Sequence, residues 1–578
     1  MDYLKLFQTH QEYEEFVSGG TMVKPNVSHC IQENEVHYTP HTFADEYFTT
    51  VALESGTISF NIWKNMGIDI ISSISYSTDN GEFWFNVANE NNKSENLVIT
   101  VNANEGDKIM WKGDATQLGC YDLDDDYGDA VGSFFSSTCE FDAQGNVMSL
   151  LYGDNFKGKT TIDNEYAFCR LFSDYDIQKT CEIVNAKNLS LPATTLASGC
   201  YYYMFSDCTS LTVAPELPAT TLSSHCYYSM FEDCTSLTTA PELPATTLAE
   251  DCYQYMFKGC TNLTTAPELP ATTLAEDCYS NMFQGCTSLT MAPELSAATL
   301  GNNCYRQMFL GCTSLTVAPE LPVTTLSDNC YYKMFGNCTS LTTAPELPAT
   351  TLAQYCYSNM FQGCTSLTTA PELPATTLSS HCYQYMFQGC TRLTTAPELP
   401  ATTLTAGCYF NMFQGCTSLT VAPELPATAL ASSCYSDMFG GCTSLTTAPE
   451  LPATTLAFAC YSSMFSGCTN LTVPPELPTT TLTTNCYDGM FYGCTSLTTA
   501  PQLPATTLAS SCYSYMFKGC TNLNKITCLA TDISATNCTR NWVSGVSSSG
   551  TFVKNSAATW NVTGADGIPN GWTVQNAS

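Results

Sequence analysis

The sequence predicts a mainly β, α+β chain. A β-sandwich-like N-terminal domain precedes a solenoid of 26-residue units, with one short parallel strand per repeat and caps at both ends. Three observations carry this reading. The stretch Cys200–His225 recurs every 26 residues, with Cys200 returning as Cys226, Cys252 and onward to Cys512 without insertion or deletion. Ahead of it, residues 43–119 fall into short runs rich in β-branched and aromatic residues, split by turn sequences. On both sides of the thirteen copies the pattern persists in altered form, as terminal units that shield a stack do.

Taken in order, residues 1–42 form an N-terminal arm. Leu4, Phe7, Tyr13, Phe16 and Val17 approach helical spacing, and extended chain follows from Met22 to Pro40. Residues 43–165 form the sandwich-like domain. Its strands are TISFNIW, ISSISYS, EFWFNVA, NLVITVNA and KIMWKG, and Asp79-Asn80-Gly81 predicts a tight hairpin. Asp122, Asp124 and Asp126 alternate as calcium ligands do, although the glycine comes one place late and no glutamate closes the loop. A solvated acidic loop is the competing reading.

Residues 166–545 form the solenoid: a modified cap repeat, thirteen repeats and a closing cap. Cys200, Tyr201, Met204, Phe205, Cys208 and Leu211 have equivalents in every copy, as stacked core positions require. The strand is expected at Leu211–Ala214, because Pro215 cannot donate to a ladder. CYxxMFxxC suits one helical or 3-10 turn on the opposite face, and the rise per repeat should be about 4.8 Å. After Cys538 the pattern departs into TRNWVSG, with Trp542 near the expected methionine, and residues 546–578 read as a C-terminal β cap.

The 578 residues carry a net charge of −34. That disfavours nucleic acid and anionic membrane as partners, which need a basic footprint. No run of 18 apolar residues predicts a membrane span. The opening MDYLKLFQTHQEYEEF lacks the basic and apolar regions of a secretory signal. The expectation is a protein that stays in the cytoplasm or leaves inside an assembled particle. Of 33 cysteines, 26 belong to the repeat, two per copy. Thirteen equivalent cysteines cannot pair down one column, so buried free thiols are expected, with a Cys200–Cys208 type bridge as the alternative.

The order Phe205, Cys208, Leu211, then Leu217-Pro218, resembles the BspA-like, or Treponema-type, leucine-rich repeat over roughly residues 166–545. The resemblance implies a leucine-rich-repeat-like solenoid in a non-enzymatic surface protein that binds host or bacterial ligands. The opening (LFQTHQEYEEF, then KPNVSHCIQENEVHYTP) and the close, GIPNGWTV, are similar to proteins of gut Bacteroidales and their tailed phages. That similarity implies a virion component.

Two sets of residues are candidates for binding. Glu216, Glu242, Glu268, Glu294, Glu320 and Glu346 begin a column of acids that continues to Glu476. Carboxylates about 4.8 Å apart repel by about 0.9 kcal/mol per pair in water. The column would therefore attract cations, calcium among them, or serve as a solvated edge. No other cofactor is expected.

The second set lies where the copies differ, between the tyrosine and the methionine and just before each Cys200 equivalent. It comprises Tyr202, Tyr203, Tyr228, Tyr255, Arg306, Tyr332, Lys333, Tyr385, Phe410 and Tyr515, the composition of adaptable binding surfaces. His29, Cys30, His37 and His41 match no zinc spacing, and no phosphate loop or nucleophile motif is apparent.

The expectation is a non-enzymatic recognition or structural protein, foremost a phage virion surface or fibre component contacting a protein or glycan on a cell surface. Other virion or surface proteins would hold its N-terminal region, and a homo-oligomer is open. The alternatives are a bacterial cell-surface adhesin and a glycan-acting enzyme with its site in residues 43–154.

Overall fold

The structure, a computed structural model, describes residues 27–32, 35–40, 43–62, 73–88, 97–114, 118–121, 130–173, 180–559 and 561–577. The expected helix at 4–17 and the acidic loop with Asp122, Asp124 and Asp126 lie outside them. β1 (Val27–Gln32) pairs antiparallel with β2 (Glu35–Pro40), setting Cys30 opposite His37.

The chain then forms β3 (Phe48–Ala52), β4 (Gly56–Ile62), β5 (Ser73–Ser77), β6 (Phe85–Ala88), β7 (Leu97–Ala103) and β8 (Lys108–Gly113). β9 (Gly119–Tyr121), β10 (Ala130–Gly132), β11 (Phe134–Ser137) and β12 (Phe141–Asn146) follow. A one-turn helix, α1 (Ser149–Tyr152), leads to β13 (Thr161–Ile162) and β14 (Ile183–Ser190). One sheet runs β14-β12-β3-β8-β5-β6 and the other β11-β4-β7. The aromatic-rich runs alternate, so each sheet turns one face to a shared interior. Phe60 and Phe135 of the smaller sheet meet Trp111 and Phe48 of the larger, with Phe135 and Trp111 rings 5.3 Å apart. The buried Trp111 indole donates to Thr50 Oγ1 at 3.1 Å.

The hairpin at Asp79-Asn80-Gly81 is wider than expected. β5 and β6 pair only as far as Tyr76 opposite Phe85, while Ser77 continues the pairing with Met110 of β8 on the other edge of β5. The Asp79 carboxylate closes the loop by accepting from the Ser77 hydroxyl at 2.7 Å and the Phe83 amide at 2.9 Å.

No break in packing separates the two regions near residue 165. β14 lies parallel to β12, and its Asn185 bridges Val213 in the first full repeat. Phe172 stacks 5.7 Å from Phe135 on one side and 5.0 Å from Phe205 on the other.

Within the array, the single strand expected at Leu211–Ala214 is replaced by two recurring points of pairing, with a third at the Leu217 position in Leu269–Leu295. One is the Val213 position, as in Thr239–Thr265 and Val317–Thr343. The other is the Thr221 position, as in β16 (Thr221–Leu222) with β17 (Thr247–Leu248) and Thr351–Thr377. β15 (Thr195–Leu196) pairs with β13 in the same way. Pro215 and Pro218 stand between these points and have no amide hydrogen, so a continuous ladder cannot form there.

The CYxxMFxxC face also departs from expectation, since it holds no helix. Tyr202, Met204, Ser206 and Cys208 donate three residues back, to Gly199, Tyr201, Tyr203 and Phe205. The intervening Tyr203, Phe205 and Asp207 amides donate instead to Tyr228, Met230 and Glu232 of the next repeat, at 2.9, 2.9 and 2.8 Å. This becomes possible because Gly199, Tyr203 and Asp207 take φ of 68°, 53° and 62°. Each such residue turns its peptide out of the helical path, as the third position of a type II turn does. The face expected to hold one helical or 3-10 turn thus bonds repeat to repeat as well. The left-handed position also accounts for the glycine of QGC and SGC: Gly389, Gly415 and Gly467 have φ of 73°, 73° and 72°.

The interior is a set of ladders. Phe231, Phe257, Phe283 and their equivalents stack with centroids 5.7 Å apart and interplanar angles of 3–7°. The Tyr201 column stacks beside them at 5.5 Å from Tyr201 to Tyr227. Each Cys208-type thiol donates to the phenylalanine carbonyl of the preceding repeat, as from Cys390 to Phe361 at 3.1 Å. Cys200, Cys208 and their equivalents in all thirteen copies are buried free thiols, with no bridge of the Cys200–Cys208 type.

Trp542 ends both aromatic columns, lying 6.4 Å from Tyr513 and 6.2 Å from Phe517, with its indole donating to Gly567 O at 2.9 Å. The C-terminal β cap is a direct continuation of the stack. β18 (Lys525–Cys528), β19 (Thr551–Lys554) and β20 (Thr573–Asn576) run parallel, with Lys525 paired to Thr551 and Thr551 to Thr573. Among the described residues no helix is long and apolar enough to cross a membrane.

Candidate recognition surface

The variable residues all fall on the turn-lined face, but fewer are exposed than the sequence suggests. Arg306 is exposed; Tyr203, Tyr228, Tyr255, Tyr332, Lys333, Tyr385, Phe410 and Tyr515 are half-buried. Tyr202 is buried, with 8 % of its surface exposed. The reason is geometric. Neighbouring repeats are one backbone hydrogen bond apart, so large side chains in one column lie on each other.

Four patches result. At the N-terminal end Tyr202 stacks on Tyr228 at 4.7 Å, and Tyr228 meets Tyr255 edge-on at 5.5 Å. The Arg170 guanidinium lies 4.4 Å over Tyr203, and Lys258 lies 5.2 Å over Tyr255 while paired with Glu232 at 2.6 Å. Beside this patch the His225 imidazole meets the Asp251 carboxylate at 3.2 Å, and burial pushes the Asp251 carboxyl up to about 6 against the pull of that histidine.

In the middle, Arg306 covers Tyr332 at 5.6 Å, and the Lys333 stem lies against Gly336. Further along, Tyr385 meets Phe410 edge-on at 5.3 Å. At the C-terminal end Lys518 and Arg540 flank Tyr515 at 5.2 and 5.6 Å.

The residue just before each Cys200 equivalent varies within limits that the sequence did not reveal. His225, Asp251, Asn303, Tyr355 and Ala459 there have φ of 60°, 60°, 57°, 54° and 50°. Glycine, asparagine and aspartate recur at this position because they tolerate the left-handed region. A ladder of amides also escaped notice. Asn359 donates to Gln362, Gln362 to Gln388, Gln388 to Gln414, and Gln414 to the Asp437 carboxylate. Reading down the position of Ser206 would have found it, since glutamine recurs there at 284, 362, 388 and 414.

Glu216, Glu242, Glu268, Glu294, Glu320 and Glu346 are all exposed on the opposite face, beside the two pairing points. Among the described residues no three histidine, cysteine, aspartate or glutamate side chains converge to hold a metal ion. The side chains of His29, Cys30, His37 and His41 lie outside what the structure describes.

Parallel pairing at a fixed register, a leucine–cysteine–phenylalanine interior and capped ends define a leucine-rich-repeat stack. The BspA type Leucine rich repeat region family matches in six copies, over residues 180–316, 303–471, 385–500 and 432–539. These matches span 180–539, more than half of the 578 residues, and the chain belongs to that family. No curated protein matches it.

Proposed function

We propose that this chain is a non-enzymatic recognition protein displayed on a surface, contacting a protein or glycan partner through the turn-lined face of its solenoid. One observation carries the reading. The thirteen copies have kept their ladders but diverged at the positions of Tyr202, Tyr203 and Ser206, which share one face and form its aromatic patches and amide ladder. Membership of a repeat family of the surface and adhesion type supports it.

The N-terminal β region would attach the array to other surface or virion proteins. The finer reading, a phage virion surface or fibre component, rests on the similarity of the two chain ends; a bacterial cell-surface adhesin competes with it. Mass spectrometry of purified virions beside host-cell fractionation separates the two. A glycan array read together with a screen against cell-surface proteins tests the recognition reading, and binding to neither would overturn it. Cleavage of a bound glycan would overturn the non-enzymatic part. For the glutamate column, a melting temperature unchanged by calcium in low salt removes cation binding.

A further inference from the structure

Tyr201 and its equivalents hold two backbone states along one column. The amides of Tyr201, Tyr227, Tyr253 and Tyr279 donate back to the preceding repeat, to Ala167, Cys200, Cys226 and Cys252 O at 3.0, 3.2, 3.4 and 3.4 Å. From Tyr305 to Tyr513 the same amide donates forward, as from Tyr305 to Cys330 O at 3.0 Å and from Tyr513 to Cys538 O at 2.9 Å. The four backward tyrosines have φ of 63°, 60°, 62° and 62°, a region that bulky L-residues rarely enter, and the later ones lie outside it. The hydroxyls of these four, and of no later tyrosine in the column, are buried without a hydrogen-bond partner.

Each orientation propagates. A planar trans peptide points its carbonyl opposite to its amide. A backward tyrosine amide therefore turns the cysteine carbonyl before it forward, to meet the amide of the next tyrosine. Ala167 in the first cap starts the backward run, and Cys538 in the last cap ends the forward run. Opposite polarities held at the two ends require a reversal between them, and it falls between Cys278 and Cys304. Their carbonyls point toward each other, and among the described residues no backbone amide donates to either. Tyr279 and Tyr305 stack 6.1 Å apart, against 5.9 and 5.8 Å on either side.

The same copy, Cys278–Asn303, departs in sequence. Ser296 stands where its neighbours have Pro270 and Pro322, and its Oγ donates to Leu269 O at 3.0 Å beside the Leu269–Leu295 bridge. Gly301 stands where every other copy has alanine, serine or threonine. A Cβ there would lie 2.7 Å from Ala275 C and 2.8 Å from Glu276 N, so the two backbones approach more closely than a side chain allows.

We propose that the contact of residues 269–279 with residues 295–305 is a built-in seam, at which the array opens before any other interior repeat. It divides the molecule into two cooperative units: the β region with the first four repeats, and the remaining nine with the closing cap. Facing carbonyls without donors are a defect in an otherwise bonded interior, and local opening starts where the fewest bonds are lost. The N-terminal tyrosine patch belongs to one unit and the other three patches to the second.

Hydrogen exchange of the full chain tests this. Corrected for intrinsic rates, peptides covering 275–306 should exchange roughly tenfold or more faster than the matching 223–254 and 327–358, the scale of an unmade buried hydrogen bond. Equal protection in the three, or a faster segment among the other interior repeats, would overturn the seam. Gly301→Ala separates it from a merely flexible glycine. If the glycine only loosens the chain, alanine, already present as Ala353 and Ala431, raises protection and the seam is wrong. With the seam, the new Cβ meets the Ala275 backbone and exchange at 275–306 rises by roughly a further fivefold or more, as overpacking does. Peptides covering 431–462 should then exchange as in the parent, showing that the fold is retained.

Discussion

Gly415→Ala separates the backbone explanation of the repeat from a steric one. Gly415 has φ of 73°, and its amide donates to Gly440 O in the next repeat at 2.7 Å. A Cβ added there would stand 3.7 Å from both Cα and N of Gly389, which is ordinary contact. The space is free, so the cost is the left-handed backbone itself, about 1–2 kcal/mol for an L-residue. The smaller entropy of the unfolded alanine chain returns part of it, about 0.4–1 kcal/mol, leaving a loss near 1 kcal/mol.

Asparagine visits this region more readily, and Asn337 already occupies the equivalent position with φ of 57°. Gly415→Asn should therefore cost less than half as much. Gly415 suits the test better than Gly259, where the Asp233 carboxylate fills the place of the new Cβ. Hydrogen exchange of peptides covering 411–441 is the appropriate measurement, because a long array opens locally rather than as one unit. The alanine variant should exchange about fivefold faster there, the population change that 1 kcal/mol produces. Alanine at or above the parent's protection, or asparagine costing more than alanine, would refute the left-handed position as the reason for glycine.

Phe335 is fully buried between Phe309 and Phe361, each 5.7 Å away, so Phe335→Ala should cost about 3–5 kcal/mol and lower the urea midpoint followed by circular dichroism; a loss below about 1 kcal/mol would remove the ladder as the core of the array. Burial pushes the repeat thiols up, Cys364 and Cys416 to about 12, so they should stay silent to a thiol reagent at pH 8 until urea is added; prompt labelling of repeat cysteines in the native chain contradicts the packing. Burial raises the Asp437 carboxyl to about 6, against the Asn411 and Gln414 donations that lower it. The folded chain then holds this proton more tightly than the unfolded one, whose carboxyl titrates near 4. Its contribution is fully present below about pH 4 and is lost as pH rises through 6. Asp437→Asn should flatten the stability profile between those values, and an unchanged slope counts against it.

Much of this was legible because packing repeats. Cys200, Tyr201, Met204, Phe205, Cys208 and Leu211 recur in every copy, and each lies in the interior with essentially no exposure. The strand runs of residues 57–113 were also legible, since alternation marks a half-buried strand. The turn-lined face was not, because Tyr203 and Lys333 are unusual residues at φ of 53° and 54° and nothing in their type announces a left-handed backbone. The closing β element was legible at 546–578 but its last register was not: Thr551 and Thr573 are paired 22 residues apart, off the period of 26. On the recognition surface the variable columns were visible, but their mutual burial depends on how closely the repeats approach.

The register of the stack bears on how such a gene can change. Phe283 stacks on Phe309 and Phe309 on Phe335, and the bridges at Met291, Val317 and Thr343 step along in the same way. Excising residues 304–329 would join Asn303 to Cys330 just as Asn329 is joined to it now, and every neighbour would be replaced by one of its own kind. Unequal recombination between near-identical copies can therefore lengthen or shorten the molecule in steps of about 4.8 Å without disturbing either end. Reach is then free to vary between relatives, while the order of side chains along the outer face is reshuffled in the same event.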